Sequence, residues 1–120
     1  MITGTRKHEI LLEKLRDRLE KSNPKYVFFC HEGYSLGKLG PKGEIDLMAR
    51  LGDNLLIFEI KSSSCEKSLA KAHDQLDRAY KYAKEYSDRL NYSKMYFFGV
   101  YGHKDGNYEV RRYIPKKEEI

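Results

Sequence analysis

The sequence predicts a single α+β or α/β domain, with a central mixed sheet flanked by helices. Three observations lead there. The chain has 120 residues, the size of one domain. Its apolar residues recur at helical spacing in two segments and in short strand-like blocks elsewhere. The resulting order, αβββαββ, combines a run of strands with a strand that follows a helix. A chain this short buries only about two-thirds of the surface its unfolded form exposes, so it has room for one core.

The first helix is expected over residues 5–21, where Leu11, Leu12, Leu15 and Leu19 share a face. Asn23-Pro24 ends it, because the residue before a proline disfavours helical backbone. Residues 26–30 read as a buried strand. Residues 31–43 carry Gly33, Gly37, Gly40, Pro41 and Gly43 without a period and are expected to form a long loop. Strands at 44–51 and 55–61 follow, joined by Gly52-Asp53-Asn54, which has hairpin chemistry. Ser62-Ser63-Ser64 leads into a second helix near 66–90 with a stripe of Leu69, Ala72, Leu76, Ala79, Tyr80, Ala83 and Leu90. A strand at 93–101, a turn at 102–106 and a strand at 108–114 complete a core of about residues 5–114. The charged residues after Pro115 are expected to fray.

Composition narrows the function classes. Lys and Arg number 23 against 18 Asp and Glu, a formal charge of +5, and 34% of residues are charged. No apolar run approaches the roughly 20 residues of a membrane helix, so no membrane partner is expected. Residues 1–7 lack the apolar centre of a signal peptide, which makes a cytoplasmic location the expectation. A basic excess suits nucleic acid, because neutralising phosphates releases counterions. Cys30 and Cys65 form no metal-ligand spacing and the four histidines are scattered, so any metal is expected on oxygen ligands.

The chemistry concentrates in Gly43-Glu44-Ile45-Asp46-Leu47 and Phe58-Glu59-Ile60-Lys61. If the hairpin turns on Gly52-Asp53, Leu51 faces Asn54. Counting inward then places Asp46 opposite Glu59 and Glu44 opposite Lys61. Opposed carboxylates, with Cβ atoms about 4.5–5.5 Å apart, repel unless something positive lies between them. A divalent cation removes the conflict, and Mg²⁺ takes one or two carboxylates and completes its shell with water and phosphate oxygens. On strict alternation, Ile45 and Leu47 share the face opposite Asp46, while Leu55 and Ile57 share the face of Glu59. That carboxylate therefore rises from a partly apolar face. A wet hairpin face with incidental ion pairs is the plain alternative.

Asp46 followed thirteen positions on by Glu59-Ile60-Lys61 resembles the signature of the PD-(D/E)XK nuclease superfamily. The αβββαβ order over about 5–101 resembles that superfamily's restriction-endonuclease-like core. Gly43-Glu44-Ile45-Asp46-Leu47 with Glu59-Ile60-Lys61-Ser62 resembles in particular the archaeal Holliday junction resolvases and related small endonucleases. Glu-Ile-Asp stands where the name-giving motif has Pro-Asp. The resemblance implies a DNA endonuclease that depends on Mg²⁺ or Mn²⁺ and works as a homodimer. Asp46, Glu59 and Lys61 would be catalytic, with the Ile60 backbone carbonyl as a further metal ligand.

It also implies a glutamate on the first helix near the metal. Glu9 and Glu13 are the candidates, and Glu9 lies nearer the leucine face. Gln75 on the second helix would reach the site, although Ala79 stands where the stricter pattern has tyrosine and Tyr80 follows it. Phosphate contacts are expected from Arg6, Lys7, Lys38, Lys42 and Arg50. Tyr80, Tyr82, Tyr86 and Tyr92 suggest core packing or a homodimer surface. A non-cleaving nucleic-acid-binding module that keeps the nuclease fold is the alternative function.

Overall fold

The computed structural model describes residues 4–35, 42–85 and 91–115. The chain runs α1 (Gly4–Ser22), β1 (Val27–Ser35), β2 (Lys42–Leu51), β3 (Asn54–Lys61), α2 (Glu66–Glu85), β4 (Lys94–Gly102) and β5 (Tyr108–Tyr113). The strands form one five-stranded sheet in the order β1-β2-β3-β4-β5. β1, β2 and β3 are antiparallel neighbours, β4 lies parallel to β3, and β5 returns antiparallel to β4. The parallel step needs a crossover long enough to bring the chain back, and α2 supplies it. This is the α+β architecture with a mixed sheet that the sequence predicts.

The β2–β3 hairpin turns where expected. Leu51 faces Asn54, and Gly52 takes φ +59°, a left-handed conformation that costs glycine little. The long loop expected at 31–43 is not formed as such. β1 continues through Ser35, and Tyr34 faces Gly43 while Ser35 faces Lys42. Antiparallel pairing satisfies backbone groups whatever the side-chain period, so a glycine-bearing segment can be a strand when a partner lies beside it. The remaining link, 36–41, lies outside the described residues, as do 86–90 of the expected second helix.

Two apolar clusters hold the helices to the sheet. α1 packs Leu11, Leu12 and Leu15 against Leu47, Ala49, Phe58, Ile60 and Val100. α2 packs Leu76, Ala79 and Ala83 against Ile45, Met48, Leu55, Ile57 and Phe97. Ile57 and Phe58 are adjacent on β3, so the two helices cover opposite faces. A central strand buried on both sides reads as a nearly continuous apolar run, which explains Leu55-Leu56-Ile57-Phe58.

Tyr80, Tyr82 and Tyr92 pack within the chain. Tyr80 meets Phe97 edge-on at 5.7 Å, and Tyr82 packs on the same cluster. The Tyr92 hydroxyl donates to the Ala83 carbonyl at 3.0 Å. Tyr86 lies outside the described residues. β5 is tied to α2 by His73 stacked on Tyr113 at 4.3 Å and by the Tyr113 hydroxyl donating to Asp77 Oδ1 at 2.9 Å.

One expected face assignment fails. Ile45 packs in the α2-side cluster with Met48, although strict alternation puts it with Leu47. The break in alternation falls at Asp46.

Candidate active site

The β2–β3 ladder runs from Leu51–Asn54 to Leu47–Phe58. In a continued ladder Ile60 would face Ile45. Instead the Ile60 amide donates to Asp46 Oδ2 at 2.8 Å. A buried N–H must find an acceptor, and here a side chain replaces the neighbouring strand. β2 is thereby released from strict pleating, and Ile45 turns to the α2 side.

The same bond places the Asp46 carboxyl at the end of β3, beside Glu59. The charge of Asp46 acts directly on the Glu59 carboxyl. Both residues are buried, Asp46 at 8% and Glu59 at 5% exposure, the charged residues with the least exposure among those described. Lys61 Nζ lies 3.4 Å from Glu59 Oε1. From α1, His8 Nε2 approaches Asp46 Oδ2 at 3.2 Å, and His8 Nδ1 lies 3.8 Å from Glu9 Oε1.

The two carboxyls are driven apart in acidity. Burial, then the charge of Asp46, pushes Glu59 up to about 9, and Lys61 only partly opposes this. Burial also pushes Asp46 upward, but the hydrogen bonds from His8 and the Ile60 amide outweigh it and hold the carboxyl below its ordinary range. His8 is correspondingly raised, first by its hydrogen bond to Asp46, against the opposing effect of burial. Near neutral pH the site therefore holds an ionised Asp46 beside a Glu59 that keeps its proton.

Tyr101 closes the other side. It is 1% exposed and faces Lys61 across the β3–β4 pair, while Gly99 faces Glu59. A side chain at Gly99 would strike the Tyr101 ring, so the glycine lets the ring lie flat along β4. Burial raises the Tyr101 hydroxyl, against the opposing charge of Arg111 and with smaller help from Glu109 and then Glu59.

The structure thus brings Asp46, Glu59 and Lys61 together, with Ile60 between the last two. Glu9 is half exposed, and α1 reaches Asp46 through His8, one position earlier. Gln75 lies on α2, which covers the sheet face carrying Leu55 and Ile57. Its Oε1 is buried and has no hydrogen-bond partner among the described residues. Arg6 and Lys7 are exposed on the first turns of α1. Arg50 donates from Nη1 to the Asn91 carbonyl at 2.8 Å, four positions from Asp46. That spacing is about 13 Å along a strand. Lys42 enters as the first residue of β2, and Lys38 lies outside the described residues.

His8 and Tyr101 are site residues that the sequence reading does not select. A signal for His8 exists. Positions 8, 11, 12, 15 and 19 continue one helical face, so His8 extends the leucine face by one turn toward the sheet. Tyr101 shares strand parity with Phe97 and Gly99, but nothing in that pattern separates it from an ordinary core residue.

Among the described residues, no three His, Cys, Asp or Glu side chains converge to hold a metal. The donor set nevertheless suits a hard cation that uses few protein ligands. Mg²⁺ takes one or two carboxylates and keeps several waters. A carboxyl forced to retain its proton beside an ionised neighbour is a place where a cation can stand in for that proton.

No family model matches this sequence, and no curated protein matches it.

Proposed function

We propose that this chain is a metal-dependent endonuclease that hydrolyses phosphodiester bonds in DNA, with a preference for branched structures such as a four-way junction. The observation that carries the reading is the pair of buried carboxyls, Asp46 and Glu59, with the Lys61 ammonium 3.4 Å from Glu59. The element order and the parallel β3–β4 pair joined through α2 support it as well.

In this reading Asp46 and Glu59, with the Ile60 carbonyl, would hold Mg²⁺ or Mn²⁺. When bound, the cation would lower the pKa of a water and polarise the scissile phosphate. The chain's own groups do the rest. The Ile60 amide and His8 fix the Asp46 carboxylate in one orientation. Glu59 would bind the cation as a carboxylate, its proton passing to solvent. Lys61 holds the attacking water or offsets charge that develops on the phosphate oxygens. Tyr101 and the apolar neighbours Ile57 and Phe97 keep bulk water from the inner side of the pair. Arg6 and Lys7 steer the backbone by its phosphates. Glu9 and Gln75 complete the surroundings from the two helices. The chain acts as a homodimer, since paired cuts across a branch need two symmetrically placed sites, and its mass in solution tests that part.

Incubation with labelled four-way junction, duplex and single-stranded DNA tests the reading. Cleavage is expected with Mg²⁺ or Mn²⁺, fastest on the junction, and none with chelator. Absence of cleavage on every substrate with both metals would sink it. Metal-independent binding without cleavage would then favour the non-cleaving module.

A further inference from the structure

A cleft of about 800 Å³ opens between α1, the segment 62–65 and the β4–β5 turn. Small-ligand sites typically span about 300–1,000 Å³. Ile10 and Leu11 give it an apolar wall, and Lys7, Lys14 and Lys104 line it, with no Asp or Glu lining it among the described residues. Lys14 Nζ donates to the Gly106 carbonyl at 3.0 Å, which joins α1 to the turn across the cleft. Gly102 lets the walls meet: a Cβ there would come within 2.8 Å of the Ser62 carbonyl oxygen and 2.9 Å of Leu11 Cδ1.

Two of the lining residues are chain neighbours of site residues. Lys7 precedes His8, which touches Asp46, and Ser62 follows Lys61. The chemistry of the cleft calls for a ligand with anionic groups and an apolar body. An intact duplex offers phosphates on a convex surface and hides its bases, whereas an unpaired nucleotide presents both phosphate and ring face. We propose that the cleft receives an unpaired nucleotide of the DNA strand beside the scissile phosphate, its phosphates on Lys7, Lys14 and Lys104 and its base against Ile10 and Leu11. The inference rests on the nucleic-acid reading above and adds a substrate preference to it. Branch points and frayed ends supply such a nucleotide, and blunt duplex does not.

Cys65 lines the same cleft and is solvent-exposed, which makes it a built-in reporter. Hydrogen bonds from Ser63 and then Ser68 bring its thiol down to about 7, which favours the thiolate that reacts with an alkylating reagent.

The test uses the full chain in chelator, so that no cleavage intervenes. Iodoacetamide labelling of Cys65 is followed by peptide mass, alone, with a 15-nucleotide oligothymidylate, and with a blunt 15-base-pair duplex. Fluorescence anisotropy measures affinity for both DNAs in wild type and in Lys14→Ala with Lys104→Ala. Saturating oligothymidylate is expected to slow Cys65 labelling roughly tenfold, and the double substitution to weaken its binding by about tenfold. Duplex should give little protection and lose little affinity. Labelling unchanged by oligothymidylate, or equal protection by duplex, overturns the proposal. If wild type binds and cuts DNA while Cys65 stays unprotected and the double variant binds normally, the cleft alone is wrong. If wild type binds neither DNA, the nucleic-acid reading fails with it.

Discussion

The Ile60 amide hydrogen-bonds the Asp46 carboxylate at 2.8 Å, where a continued ladder would turn it toward the neighbouring strand. One bond thus ends the β2–β3 pairing, breaks the pleat of β2 and sets the orientation of an acidic group. That acidic group is the one His8 approaches from α1 at 3.2 Å and Glu59 meets from β3.

Asp46→Asn tests the shared cation. Asparagine can still accept the Ile60 amide, so the fold is kept, but its carbonyl is a poorer metal ligand. In wild type, Mg²⁺ at ten times its Kd should stabilise the protein by about 1.4 kcal/mol. That corresponds to a rise in Tm of roughly 5 °C or more for a domain of this size. Differential scanning fluorimetry should show the rise largely lost in the variant. An equal metal-induced shift in both proteins would refute sharing at Asp46.

Lys61→Ala should abolish cleavage while leaving DNA affinity within about twofold, because one charge is a small part of an interface with many phosphate contacts. Affinity is read by anisotropy in chelator and rate by single-turnover assay with metal. Cleavage at the wild-type rate would reduce Lys61 to a partner of Glu59.

The pH dependence of stability follows from Glu59 and His8. Glu59 holds its proton in the folded protein up to about 9 against an ordinary 4.5, so folding takes up a proton across that window. Stability of the metal-free protein should therefore fall as pH rises from about 5 to 9. His8, raised from 6.5, acts in the same direction: its contribution is complete below 6.5 and lost as pH passes its folded value. Asp46 acts oppositely, but only in acid, as pH falls through its lowered value. Glu59→Gln should flatten the fall and stabilise the metal-free protein at pH 8. Urea denaturation at pH 5, 7 and 9 reads this directly, and an unchanged pH slope in the variant would contradict the assignment of the proton to Glu59.

His8→Ala removes the α1 contact with Asp46. The expected loss is about 1–3 kcal/mol, the usual cost of breaking a hydrogen bond to a charged, largely buried group. Cleavage should fall as well, since the Asp46 carboxylate loses one of the two groups that orient it. Glu9→Ala, at a half-exposed position, should cost less than about 0.5 kcal/mol. Equal stability loss in the two variants would mean that His8 has no special hold on Asp46.

The sequence by itself determined the two helices, the β2–β3 turn and the register that starts from it. The leucines of α1 and the stripe of α2 recur at the helical period because each helix buries one face, and Gly52-Asp53 carries its turn in its residue types. From that turn the hairpin register follows by counting, which is why two acids thirteen positions apart could be placed side by side. Tertiary structure decided everything that depends on a partner distant in the chain. β1 runs on to Ser35 because β2 lies beside it, not because residues 31–35 have a strand period. Ile45 crosses to the α2 side because Asp46 takes the Ile60 amide. His8 meets Asp46, Tyr101 lies along Glu59 and Lys61, and three separated segments enclose the basic cleft. The physical reason is that periodicity reports which face of an element is buried, whereas these contacts depend on how far each helix slides and turns as it docks on the sheet. The protonation of Glu59 belongs to the same class: burial and a neighbouring charge set it, and neither exists until the chain has folded.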